Sequence, residues 1–417
     1  MDGNDRRIVG LTGTAHALLH TYELSVPILV VIWLTEFSTT PAELGIVVSV
    51  GMALLGLGAL PGGVLADRYG SRKLIALCLV GMGGSFLVLS AAPTTAADLL
   101  GSLPLLSVSP AVVAIAIALV LWGAAASVYH PAGLTLISTG VDERGRGFAL
   151  HGMAGNIGIA AGPLATTVLL AFMPWETVTA VLAVPAFVAA AAALVIDVEE
   201  RELDEDEEDE TPDSIGEFLD ISGTVVRSAF AFVFVVVAMN GLYYRGVLTF
   251  LPDLLAGLET FQPIDIAGEP QEPANYVYSG LLAVGIAGQY VGGRLTDRMP
   301  PERGIAFAFG GLSLLALIFL PLASMGAVPL LLVSAVLGFA LFIVQPMYQA
   351  AVAEYTPEAA RGLSYGYTYL GNFGIGALGA GMAGAILTYS NQTVLFLVFA
   401  AIAAIASGIG VLLMRRD

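Results

Sequence analysis

A segment reading GGVLADRYGSRK, residues 62–73, closes one apolar stretch and opens the next, and it returns as GGRLTDRMPPER, residues 292–303, in the same setting. A repeated turn between long apolar runs restricts the chain to two copies of one membrane-embedded unit. Composition points the same way, because 57% of the residues are hydrophobic and 12% charged, where soluble domains carry roughly 25% charged residues. Lipid must replace water over much of such a surface.

About 20 apolar residues cross a bilayer as a helix, and twelve such stretches can be marked. The first six are 8–34, 44–66, 73–92, 111–137, 148–172 and 177–196; the second six are 225–251, 276–296, 304–323, 328–353, 363–387 and 393–413. The expected fold is an all-α membrane protein of twelve helices in two pseudo-symmetric six-helix bundles. Residues 1–197 form the first bundle, 198–224 an acidic linker and 225–417 the second bundle.

Basic residues are retained on the cytoplasmic side of a membrane protein. Of the 16 Lys and Arg residues, all except Arg245 fall before the first stretch, after the last, or in and next to the connections that share that side. Both chain ends are therefore expected in the cytoplasm of a multi-pass plasma-membrane protein. The first stretch is long enough to span and has no clear small-residue cleavage site, so it reads as a helix rather than a secretory signal. Net charge is −18, with a run EERELDEDEEDE in the connection between the halves. That run reads as a solvated linker, and abundant acid with a single lysine suggests a salt-loving host. The lone Cys78 excludes an internal disulfide and reads as packing.

The repeated turn, the apolar stretches and the long central connection together resemble the major facilitator superfamily of secondary transporters, over essentially the whole chain. That family's pattern, Gly-x-x-x-Asp-Arg-x-Gly-x-Arg/Lys, is met by Gly63, Asp67, Arg68, Gly70, Arg72 and Lys73. The second copy keeps Gly293, Asp297 and Arg298, with Met299 and Pro300 in place of Tyr69 and Gly70. The resemblance implies that these residues latch the bundles on the cytoplasmic side. A second likeness is to the fosmidomycin-resistance group of proton-driven exporters. It rests on His130-Pro131 and on the fifth stretch, where Asn156, Gly158, Gly162 and Pro163 complete the pattern Gly-Asn-x-Gly-x-x-x-Gly-Pro. Glycines four apart give a smooth face for close packing and proline bends the helix; in the superfamily Gly158, Gly162 and Pro163 match a pattern of antiporters.

Ionisable residues at bilayer depth cost about 2.5–3.5 kcal/mol on insertion scales and so line cavities or have partners. His16, His20 and Glu23 are spaced four and three apart, on one helical face. A carboxyl in a dry setting beside histidines describes a proton carrier, the alternative being a histidine pair bonded to neighbouring helices. His130 is a second proton site or the cap of a proline kink, and His151 reads as interfacial. In the seventh stretch Asn240, Tyr243, Tyr244 and Arg245 follow one another, and Arg245 can clamp an anion through its fork of donors or snorkel to the outer headgroups. Tyr129, Asn156, Gln289, Gln345, Tyr348, Gln349 and Asn372 add hydrogen-bonding groups, as cavity lining or as interhelical glue. Trp33 and Trp175 read as interfacial anchors.

No phosphate-binding loop, CxxC set, HExxH or nucleophile triad occurs, so ATP drive, metal chemistry and hydrolysis are not expected. The His16, His20 and Glu23 trio alone is weak evidence for zinc. The expected activity is transport of a small molecule by a monomer in the lipid bilayer. Neither nucleic acid, metal nor cofactor is expected to take part, and the proton gradient is the energy source. The resemblance favours proton-coupled export by antiport. A proton-coupled importer of an organic anion is the alternative, and a non-transporting receptor on a transporter frame is a third reading.

Overall fold

The computed structural model describes residues 1–93, 109–199, 215–258, 260, 264–266, 269–357 and 361–415. Most of the acidic run lies outside them. The first helix, α1 (Gly3–Glu36), starts where the Asp2 carboxylate accepts the Asp5 amide at 2.8 Å. Its 34 residues reach beyond the roughly 30 Å hydrocarbon thickness of a bilayer. Helix α2 (Pro41–Leu57) opens with a reciprocal cap in which Thr40 accepts from the Glu43 amide and the Glu43 carboxylate accepts from the Thr40 amide.

The second expected stretch is not one rod. After Gly58 the chain continues as α3 (Ala59–Tyr69), and Gly70, at φ 85°, a left-handed conformation that suits glycine, turns it into α4 (Ser71–Ser90). The fourth stretch divides likewise into α5 (Pro110–Ser127) and α6 (Tyr129–Gly140). Pro131 has no amide to offer the carbonyl one turn back, which favours a break there. Then follow α7 (Arg144–Leu170), α8 (Trp175–Val195), a short α9 (Ile215–Arg227) and α10 (Phe230–Ala256). Helix α9 straddles the expected boundary between linker and second bundle.

A small antiparallel hairpin, β1 (Ile264–Ile266) with β2 (Glu269–Gln271), pairs Ile264 with Gln271 and is a departure from the purely helical expectation. The chain ends with α11 (Pro273–Thr296), α12 (Pro301–Ala323), α13 (Ala327–Tyr355), α14 (Arg361–Tyr369), a π-helical turn (Leu370–Ile375), α15 (Leu378–Tyr389) and α16 (Gln392–Leu413). Among the described residues 10 helical runs are long and apolar enough to cross a membrane, rather than twelve. The break at Gly58 removes the second stretch, and in α11 the glycines, tyrosines and Gln289 dilute the apolar run. The result is an all-α, multi-span membrane protein apart from the hairpin.

Helix α1 packs along α7, α2 along α5 and α4 along α8; α10 packs along α15, α11 along α13 and α12 along α16. Outward faces are apolar, with Phe307 74% and Val188 64% exposed, as lipid contact requires. Trp33 and Trp175 are not interfacial anchors. Both are buried, with rings 5.8 Å apart, and the Trp175 indole donates to the Glu36 carboxylate at 2.8 Å, pinning the end of α1 to α8.

The two halves meet most closely along α2 and α15. The Ser49 hydroxyl donates to the Ala377 carbonyl at 2.7 Å and accepts the Gly381 amide at 2.8 Å, and the Ala42 amide donates to Thr388 at 2.8 Å. This seam closes the end of the molecule opposite the chain termini.

Candidate functional site

Between the halves lies a cavity of about 500 Å3. Its first wall is built on α1, where His16, His20 and Glu23 share the face their spacing requires. What brings that face against α7 is the absence of side chains there. A Cβ at Gly158 would overlap the Ala17 backbone, and one at Gly155 would strike the His16 ring. The glycine face thus makes the close packing expected of it, and the Thr167 hydroxyl bonds the Pro163 carbonyl at 2.9 Å.

His151 sits on this same face of α7, one turn before Gly155, and is not interfacial. It is buried, its ring stacks on His16 at 4.0 Å between centroids, and its backbone carbonyl accepts from His16 Nδ1 at 2.9 Å. The glycine spacing carried the signal, since 151, 155, 158 and 162 share one helical face. His130 lies edge-on to His16 at 5.3 Å and faces Tyr369 and Phe373 from the other half at 5.3 and 5.9 Å.

Three short contacts join the ionisable groups. His20 Nε2 is 3.0 Å from His16 Nε2, His20 Nδ1 is 2.5 Å from Glu23 Oε2, and Glu23 Oε1 pairs with the Arg245 guanidinium of α10. Arg245 does not snorkel. It is 6% exposed and Glu23 2%, so neither charge is compensated by water. Tyr244 and Phe373 flank the guanidinium, whose carbon lies 5.7 and 5.4 Å from their ring centres, while its Nε has no hydrogen-bond partner. The Asn240 amide donates to Asn372 Oδ1 at 2.9 Å. Asn240, Tyr244, Arg245, Gln289, Gln345, Tyr348, Gln349 and Asn372 line the second wall, and Asn156 the first.

Two expected substrate groups stand behind the wall instead of in it. Tyr129 is fully buried, donating to the Thr12 carbonyl and meeting His151 Nε2 at 3.0 Å; Tyr243 is buried with its hydroxyl 3.4 Å from the Leu312 carbonyl. Both point away from the lining because the helix turn that presents Tyr244 and His130 inward turns their neighbours outward. Tyr369 and Phe373 line the cavity and were not anticipated; the first caps and the second lies within the π-helical turn, whose wider winding has no sequence periodicity to betray it.

The repeated turn, expected to latch the bundles, lies at the end of the molecule that carries the termini. Gly63 and Gly293 face open space, and the close approaches fall one residue earlier, where Gly62 meets Pro131 and Gly292 meets the Ile343 backbone. Arg72 donates to the Ile196 carbonyl at 2.8 Å, and the Arg68 guanidinium lies 5.5 Å from the Tyr69 ring. Those contacts stay within the first half; Asp297 and Arg298 end α11 exposed, and the Asp67 side chain lies outside the described residues. Cavity-lining residues Phe148, Gly152, Val352 and Thr368 continue toward this end of the molecule. The site is therefore closed at the Ser49 seam and reached from the side of the termini.

Nitrogen atoms of His16, His20 and His130 lie within 4.8 Å of one another, a spacing that a small metal ion could bridge. Two of the three already spend their facing nitrogens on each other.

The sequence profile described as Major Facilitator Superfamily matches residues 17–380. Among curated proteins none matches the sequence. Of solved structures, the nucleoside transporter NupG is similar at TM-score 0.75 and 14% identity, covering 98% of this chain and 99% of that one. A proton dependent oligopeptide transporter is similar at TM-score 0.71 and 13% identity, covering 98% and 99%. The xylose transporter XylE from E. coli, in an inward open conformation, is similar at TM-score 0.70 and 14% identity, covering 96% and 94%. At such identities the likeness establishes the fold. The three are named for nucleoside, proton-dependent oligopeptide and xylose transport and none as an exporter, and the expectation of efflux by antiport is withdrawn.

Proposed function

The chain belongs to the Major Facilitator Superfamily, a class of secondary transporters and not of enzymes, and on that premise we propose that it is a proton-coupled symporter importing a small organic anion. The observation that carries the reading is the buried Glu23–Arg245 pair, which joins α1 to α10 in the cavity wall. An arginine fork in a dry site binds a carboxylate bidentately, and here a carboxylate of the protein already holds it. Cargo and Glu23 then compete for one guanidinium, and a proton on the Glu23 side of the pair is what lets the cargo win. Gln289, Gln345, Tyr348 and Asn372 supply the hydrogen bonds that orient the rest of the molecule, and His130 faces them from the first half.

The repeated helix pairing supports two bundles, residues 1–197 and 225–417, joined by 198–224. In each half the first helix packs on the fifth, the second on the fourth and the third on the sixth, counting α2 with α3, α5 with α6 and α14 with α15 as single spans. Counted so, the chain crosses twelve times with both termini on one side, and the basic connections support the cytoplasmic side. The bundles rock about the midplane site, the Ser49 seam closing the outside while the cavity faces in, and the repeated turn from Gly63 to Arg72 closing the inside in the opposite state. The His130-Pro131 and Gly158-to-Pro163 signatures support kinship with the fosmidomycin-resistance group, without its direction of transport.

Uptake of radiolabelled organic acids into proteoliposomes tests the reading. An inward proton gradient is expected to drive accumulation of at least one acid, and Arg245→Ala to abolish it. Accumulation only against an outward-directed gradient, or uptake indifferent to Arg245, would sink it.

A further inference from the structure

The chain of contacts from His16 to Arg245 fixes how many protons the site holds, whichever atoms carry them. His16 Nδ1 faces the His151 carbonyl at 2.9 Å, and a carbonyl only accepts, so a proton sits on that nitrogen. The two Nε2 atoms of His16 and His20 face each other at 3.0 Å. Two lone pairs repel at that distance, so one proton lies between them. His20 Nδ1 and Glu23 Oε2 are 2.5 Å apart, which requires another. Three protons are thus distributed over His16, His20 and Glu23. Two neutral imidazoles with an ionised carboxylate would hold two.

Resting on the symport reading above, we infer that this cytoplasm-facing state is the proton-loaded one: the His16–His20–Glu23 chain stores a single transported proton and fits the cavity for a monoanion, carried one to one.

The excess proton makes the three side chains neutral as a set. Arg245 then leaves the site with one net positive charge, and a monoanionic cargo cancels it. Removing the proton leaves two protons for three contacts, so one contact must open, and Glu23 keeps its full charge for Arg245. Proton and anion therefore leave together. The surroundings add no opposing charge among the described residues. His130 and Tyr129 face the chain from α6, His151 from α7, Tyr244 from α10, with Tyr369 beyond His130. His151 Nε2 meets the Tyr129 hydroxyl, which already donates to Thr12, so that ring donates outward and takes no part in the count.

The sequence has 4 histidines, so imidazole nitrogen resonances of the full chain in nanodiscs can be assigned one by one with single His→Gln variants. At pH 7 the expected result is His16 protonated at Nδ1, and a proton shared between the two Nε2 atoms. The third proton then shows either as a doubly protonated His20 or as a carboxylic-acid infrared band lost in Glu23→Gln. A bare Nε2 on both rings with an ionised Glu23 overturns the proposal. So does a set of nitrogen shifts abolished by a chelator, which would place a metal ion where the proton is assigned. In proteoliposomes, monocarboxylate uptake should follow the pH gradient and not respond to a potassium–valinomycin potential. Potential-driven uptake overturns the one-to-one count and leaves symport standing. Absence of uptake for every acid sinks the symport reading, while the proton count still stands or falls by the spectra.

Discussion

Removing the Arg245 guanidinium would leave Glu23 charged and buried with only His20 beside it. Breaking a buried pair from one side costs about 3–5 kcal/mol, much of it the uncompensated partner. Arg245→Ala should therefore melt well below the parent protein in detergent, and the Glu23→Ala/Arg245→Ala double variant should recover part of the loss. Equal melting of single and double variants would mean that the pair is not coupled. Arg245→Lys retains the charge but not the planar fork, so it should fold and carry substrate poorly, seen as a raised KM in uptake. The sequence made the His16, His20 and Glu23 face legible, because their spacing is local. It could not reveal that Arg245 is their partner, since nothing local marks a contact between α1 and α10. His151 was misread for a related reason: its place near a helix start says interface, and only the glycines that admit α1 turn it into a wall of the cavity.

At the scale of helices, the α1–α7 contact depends on what α7 lacks. Gly158→Ala forces a methyl group into the Ala17 backbone, and overpacking of this kind costs about 1–3 kcal/mol. Gly152→Ala, on the same helix with nothing within 4 Å, should melt at or above the parent temperature because alanine favours helix by up to about 1 kcal/mol. Comparing the two variants by thermal melting in one detergent separates packing from propensity; equal shifts would deny the close approach. Apolar length alone foretold most of these helices. It missed the break between α2 and α3 because Gly58 continues an unbroken apolar run, and a hinge set by neighbouring helices leaves no mark in hydropathy. The hairpin of β1 and β2, three residues a strand, was too short to register.

For the whole molecule, the basic loops predict sidedness, and the buried Cys78 makes it measurable without background. Ser390→Cys, beyond α15, should react with an impermeant maleimide from outside the cell, and Gly145→Cys, at the start of α7, only from inside. Labelling of both from one side would reverse or refute the arrangement. Opening of the outer seam can be followed in the same way. Ser49→Ala removes two hydrogen bonds, each worth about 0.5–1.5 kcal/mol, and should raise the alkylation rate of Ala377→Cys several-fold from outside. The Ser49 hydroxyl has a wider consequence, since both its partners are main-chain groups at the start of α15. A clasp that grips backbone atoms asks for nearness rather than for a matching side chain, and nearness here depends on bare positions of the opposing helix, since a Cβ at Gly384 would strike the Pro41 carbonyl and one at Gly381 would crowd the Ser49 hydroxyl. Gly381→Pro would loosen both bonds at once, deleting the amide and crowding the Ala377 carbonyl one turn back.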